Sequence, residues 1–207
     1  MKRSALYLMI AAVLMIAAPL LIAAAKVGEP APDFTGASST GKAIHLADFR
    51  GKFVVLEWHN NGCPYVRKHY NSGNMQRLQR EWTAKGVVWL TILSSAPGKQ
   101  GYVTAPEENE YLTKMNAAPT AAILDPTGEI GHLYDAKTSP QMVVINPQGV
   151  IIYDGAIDNR PTTDLADVNG ATNYVSLALE QAMAGKPVET TTSRPYGCSV
   201  KYPDSRH

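Results

Sequence analysis

Two apolar, β-rich runs, FVVLEW (53–58) and VVWLTIL (87–93), stand on either side of a segment with helical spacing, and this arrangement restricts the fold more than any other feature. Each run is of the kind buried on both faces of a sheet. Between them Met75, Leu78 and Trp82 fall on one helical face, and Gly86 supplies a stop. Further on, Thr104 and Glu107 form a capping-box pair that opens a helix running to about Met115. AAILD (121–125), QMVVI (141–145) and VIIYDG (150–155) read as three more strands. The turn Asn146-Pro147-Gln148-Gly149 joins the last two into an antiparallel hairpin. A final helix is expected from about Tyr174 to Ala184, ending at Gly185. This order, β-α-β in the first half and hairpin then helix in the second, predicts an α/β domain whose sheet is covered by helices.

With 45% hydrophobic and 18% charged residues in 207, the chain has the composition of one globular domain. Disordered and collagen-like classes are excluded. Residues 1–25 combine Lys2 and Arg3 with an uncharged stretch from Ser4 to Ala25 that ends in Ala23-x-Ala25. This is the pattern of a cleaved signal peptide. The stretch also matches the ~20 residues an uncleaved membrane anchor requires, so a membrane contact is expected only if it is retained. Without Lys2 and Arg3 acidic residues slightly outnumber basic ones, which argues against a nucleic-acid partner. The remainder, 26–207, is then an exported domain, placed in a bacterial periplasm or another extracytoplasmic compartment where disulfides are permitted.

In that setting the two cysteines, Cys63 and Cys198, have several readings. A structural disulfide between them would add roughly 5 kcal/mol on the chain-entropy model, although a domain of this size does not need it to fold. Cys63 also follows a buried strand and precedes Pro64, a residue suited to the first turn of a helix. Orphan N–H groups and the dipole at a helix N-terminus favour a thiolate, and Arg67 and Lys68 one turn on would add positive potential. Cys63 is thus a candidate nucleophile, against the alternatives of an inert buried thiol or half of a fixed disulfide. Cys198 lies in a Pro/Gly-containing tail that can fold back over a site, as a resolving thiol, a permanent staple or a pendant group. Glu57, within an apolar strand, is a candidate proton partner whose pKa desolvation would raise, unless the strand's end leaves it solvated. His59, Cys63 and His69 together match no closed metal-ligand spacing, and neither a metal nor an organic cofactor is expected.

The opening VGEPAPDFTGASSTGKAIHLADFRGKFVVLEW resembles the start of thioredoxin-fold proteins of the redoxin, or alkyl-hydroperoxide-reductase-like (AhpC/TSA, peroxiredoxin-like), superfamily. The segments CPYVRKHYNSGNMQ, SSAPGKQGY and YGCSVKY resemble those of exported bacterial proteins of the thioredoxin family, and the likeness covers nearly all of 27–202. The resemblance implies a thioredoxin fold: a central mixed β-sheet flanked by helices, with an N-terminal hairpin extension. Aligned without gaps, Cys63 falls on the first cysteine of the family's Cys-x-x-Cys motif, Glu57 on its buried carboxylate, and Val66 replaces the second cysteine. The peroxidase alignment asks for Pro and Thr where this chain has Leu56 and Asn60. The resemblance further implies a cis-proline at Pro140, with the Ser139 backbone open to a substrate strand, and Trp58, Pro64 and Tyr65 flanking the thiol. The implied activity is thiol–disulfide oxidoreduction or a peroxiredoxin-like antioxidant role on a protein or small-molecule disulfide, a sulfenic acid or a peroxide. A thiol electron donor completes the cycle. A non-catalytic binding module and a copper-binding chaperone are the alternatives.

Overall fold

The computed structural model describes residues 25–204. The expectation for the N-terminal targeting segment therefore falls, apart from Ala25, outside the described residues. A hairpin of β1 (Thr35–Ser38) and β2 (Ala43–His45) precedes the core strand β3 (Val54–Trp58). Helices α1 (Pro64–Asn71) and α2 (Asn74–Ala84) lead to β4 (Val88–Leu93), and α3 (Ala105–Lys114) to β5 (Ala121–Leu124). The short α4 (Glu129–Leu133) and β6 (Thr138–Ser139) follow, then β7 (Met142–Ile145), β8 (Ile151–Gly155), α5 (Tyr174–Met183) and β9 (Cys198–Ser199).

Seven strands form one sheet in the order β2-β1-β5-β4-β3-β7-β8. It is mixed, with β3, β4 and β5 parallel to one another and β7 running antiparallel to β3. Alternation along the central strands explains why both faces are apolar. Val54, Leu56, Trp58, Leu90 and Ile92 pack with Ile123 and Tyr134 on one face. Val55 and Trp89 pack on the other with Met75, Leu78, Trp82 and Leu179 from α2 and α5. Cys63, Val66 and Tyr70 of the α1 region belong to this second core.

The helical stretch after Cys63 is two helices, because Gly73 takes the left-handed conformation at φ 75° and starts α2 afresh. The Thr104–Glu107 capping box forms as the sequence predicts, with Glu107 Oε2 accepting from both Thr104 N and Thr104 Oγ1 at 2.7 Å. A separate two-stranded ladder has no counterpart in the apolar pattern. There β6 pairs antiparallel with β9, setting Ser139 opposite Cys198 and Thr138 opposite Ser199.

Candidate active site

Cys63 is the N-cap of α1, with extended backbone angles and Pro64 in the first turn. The side chain is fully buried. Its thiol donates to the Ser139 carbonyl oxygen at 3.1 Å, and the Cys198 N–H points at Cys63 Sγ from 3.4 Å. Both cysteines are free thiols. The β6–β9 ladder thus brings together four of the residues singled out in the sequence: Cys63, Ser139, Pro140 and Cys198. The Ser139–Pro140 peptide is cis. The Cys198 thiol is pushed up to about 11 by burial first, and then by its hydrogen bond to Cys63 and the charge there.

Beside this centre lies a cavity of about 630 Å³ lined by Tyr65, Thr138, Asp158, Arg194, Tyr196 and Gly197, among others. Tyr65 meets Tyr196 edge to face, ring centroids 5.8 Å apart. Tyr196 Oη donates to Asp158 Oδ1 at 2.5 Å, and His69 Nε2 lies 3.3 Å from the same hydroxyl. Asn74 Nδ2 donates to His69 Nδ1 at 3.0 Å, which assigns the ring hydrogen to Nε2. Burial, ahead of the opposing pull of Asp158, lowers the His69 pKa to about 4, so the ring is neutral. His69, Tyr196 and Asp158 therefore form a chain of hydrogen bonds that pins the tail two residues before Cys198. The sequence carried one signal for it, the aromatic of Tyr-Gly-Cys, but none for its partner Asp158.

Three of the predicted placements are corrected. Trp58 does not flank the thiol; it points into the opposite core, donating to Ser94 Oγ at 3.2 Å, because the strand's alternation sends it to the other face of the sheet. Lys68 is engaged by partners other than the sulfur. It is buried, donates to the Arg160 carbonyl at 2.6 Å and lies 4.0 Å from Asp158, which balances its charge. Glu57 is neither solvated nor raised in pKa. It is fully buried and accepts from Tyr70 Oη at 2.8 Å, Trp89 Nε1 at 2.7 Å, and Gln79 Nε2 and Thr91 Oγ1 at 3.2 Å each. Burial is the largest single influence and raises its pKa. His59, whose Nδ1 stands 3.6 Å away, and the Trp89 and Tyr70 donors together outweigh it, and the net direction is down. None of these partners is Cys63. Pro64 is exposed in the first turn of α1, and Tyr65 forms part of the cavity wall.

Near Glu57 sits a second buried carboxyl, Glu108 of α3, whose two oxygens find no hydrogen-bond partner among the described residues. Neither ring nitrogen of His59 finds one either. Burial, against the pull of His59, raises Glu108 to about 7. His59 and His69 do not converge with Cys63, and among the described residues no group of three His, Cys, Asp or Glu side chains is disposed to hold a metal ion.

The chain belongs to the AhpC/TSA family, whose pattern matches residues 27–154. It is 26% identical over 144 residues to the thioredoxin-like protein YneN of Bacillus subtilis, spanning 69% of this chain and 79% of that one. It is 24% identical over 125 residues to the thiol-disulfide oxidoreductase ResA of the same organism, spanning 60% and 64% respectively. Among solved structures, a conserved protein of Geobacillus kaustophilus superposes with a TM-score of 0.76 at 24% identity, covering 87% of this chain and 94% of its own. The fold is the thioredoxin fold, shared with solved thiol–disulfide interchange and oxidoreductase proteins of Chlorobium tepidum and Bacteroides vulgatus.

Proposed function

We propose that the protein is an exported thiol–disulfide oxidoreductase in which Cys63 is the nucleophile and Cys198 the resolving thiol. The observation that carries this reading is the β6–β9 register, which holds the Cys198 backbone N–H on the Cys63 sulfur. Cys63 as thiolate attacks one sulfur of a disulfide, forming a mixed disulfide and releasing the other sulfur as a thiolate. Cys198 then attacks Cys63 Sγ, releases the second thiolate and leaves a Cys63–Cys198 disulfide. The substrate gains two electrons and two protons, and an external thiol donor returns both to the protein.

The elevated pKa of Cys198 fits the order of these steps. Two of its causes, the hydrogen bond and the charge, come from Cys63. Consuming Cys63 in the mixed disulfide removes both, so Cys198 becomes easier to deprotonate when its attack is due. Peroxide reduction has less support. Asn60 stands where the peroxidase motif has a threonine, and its amide is engaged with Gly62 N at 2.9 Å and the Gln100 carbonyl at 3.2 Å. Export is proposed from the sequence of residues 1–25 alone.

The test is trapping. Incubated with a disulfide such as oxidised glutathione, Cys198→Ser should stop as a one-to-one adduct on Cys63, located by mass spectrometry, whereas the native chain should release the adduct. Cys63→Ser should form none. Equal turnover by Cys198→Ser and the native chain would remove the resolving role.

A further inference from the structure

The Thr138–Ser139 edge lies directly over the Cys63 thiol, and the chain's own tail covers it. Cys198 and Ser199 complete the ladder, and Val200 N extends it to the Lys137 carbonyl at 3.0 Å. Tyr196 is latched to Asp158 on one side of the ladder. On the other, Ala96 N bonds the Lys201 carbonyl at 2.8 Å and Tyr202 Oη donates to the Ala136 carbonyl at 2.6 Å. Under this cover the thiol is fully buried.

Gly197 shows what the edge tolerates in the position before the cysteine. Its φ is 145°, which side-chain-bearing residues rarely adopt. A Cβ there would collide with the carbonyl carbon and oxygen of Ser139, backbone atoms that cannot rotate away. The tail is thus an extended segment of the sequence Tyr-Gly-Cys-Ser seated where any partner strand offering a sulfur to Cys63 would have to lie.

We propose that Tyr196–Ser199 is an internal occupant of this edge that must leave before an external substrate can bind, and that the substrate is an extended polypeptide with glycine immediately before its cysteine. This inference rests on Cys63 being the exchange centre. In the cycle above, the tail leaves to admit the polypeptide and returns, carrying Cys198, to resolve the mixed disulfide. The covering ladder itself is two residues long, so exchange of one strand for another retains the same backbone pairing.

The experiment uses the whole chain, and its first readout involves no thiol exchange. A fluorescein-labelled peptide Tyr-Gly-Ser-Ser-Val, copying the tail with serine for cysteine, is titrated by anisotropy into the native chain and into Gly197→Val. The substituted side chain should evict the tail. Peptide binding should then be at least tenfold tighter to Gly197→Val than to the native chain, and a peptide with alanine for glycine should bind neither. Iodoacetamide should modify Cys63 at least tenfold faster in the variant. Tyr196→Phe, which loosens the latch without a clash, should shift both readouts in the same direction by a smaller factor, so the prediction stands should Gly197→Val fold poorly. Equal peptide affinity for all three chains would overturn the proposal, as would equal binding of the alanine peptide. Adduct trapping on Cys198→Ser reports separately on the exchange reaction. A peptide that binds the opened edge while no adduct forms supports the occupancy and removes the oxidoreductase reading, and an adduct without peptide competition does the reverse.

Discussion

Burial pushes two glutamates up, yet their net shifts run in opposite directions. Against burial, His59 first and then the Trp89 and Tyr70 donors hold the Glu57 carboxylate below the usual range, and it is ionised at neutral pH. Its stabilising contribution is present above its unfolded value of 4.5 and is lost as pH falls through its lower folded value. Glu57→Ala leaves those donors buried and unpaired. It should cost on the order of 3–5 kcal/mol in urea unfolding at pH 7, as for other broken buried charge networks. Glu108 has no such donors, and burial raises it from 4.5 to about 7. The folded state then holds a proton that the unfolded state has lost, so stability is full below pH 4.5 and declines as pH rises towards 7. Glu108→Gln removes this dependence. Its unfolding free energy at pH 8 should exceed that of the native chain by about 3 kcal/mol, and the two should converge near pH 4. His59 and Glu57 face the same group, and the pH titration of Glu57→Ala separates their share. The sequence placed Glu57 in a strand correctly but could not supply its pKa, because Tyr70, Gln79, Trp89 and Thr91 arrive from three other elements.

Elements were legible where a run of apolar residues or a local hydrogen-bonding pattern dictated them. β3, β4 and the β7–β8 hairpin follow from their apolar runs and the Asn146–Gly149 turn, and α3 from its capping box. Thr104→Ala should cost about 1 kcal/mol of stability, measured by the urea midpoint, because it removes one half of that reciprocal cap. The β6–β9 ladder was not legible. Two-residue strands carry no periodicity, and their pairing joins Ser139 to Cys198 across the whole of β7, β8 and α5. The break between α1 and α2 leaves no mark in the apolar spacing, which runs on; the positive φ of Gly73 interrupts it. Within the candidate site, Cys63 and Pro140 could thus be placed from local signals and resemblance, while the latch of Asp158 and Tyr196 required the folded chain.

At the scale of the molecule, the two thiols tie the start of the central sheet region to the tail. They are separated by 135 residues, so a disulfide between them closes most of the domain into a loop. The oxidised chain should be more stable than the reduced one by up to roughly 5 kcal/mol, read as a higher urea midpoint without dithiothreitol than with it. A difference near zero would mean that the geometry of the oxidised form costs as much as the loop closure provides. Stability and redox state are then linked, because whatever the disulfide adds to folding also opposes its reduction.

The same separation orders events during biosynthesis. A ribosome adding ~5–20 residues per second delivers Cys63 many seconds before Cys198, and the strand that covers it belongs to the last stretch of the domain to be made. Until then a nascent chain presents an uncovered thiol with no internal strand to sit over it. The newborn protein passes through an interval in which its sulfur is open to foreign thiols and disulfides, and only the arrival of the tail closes it.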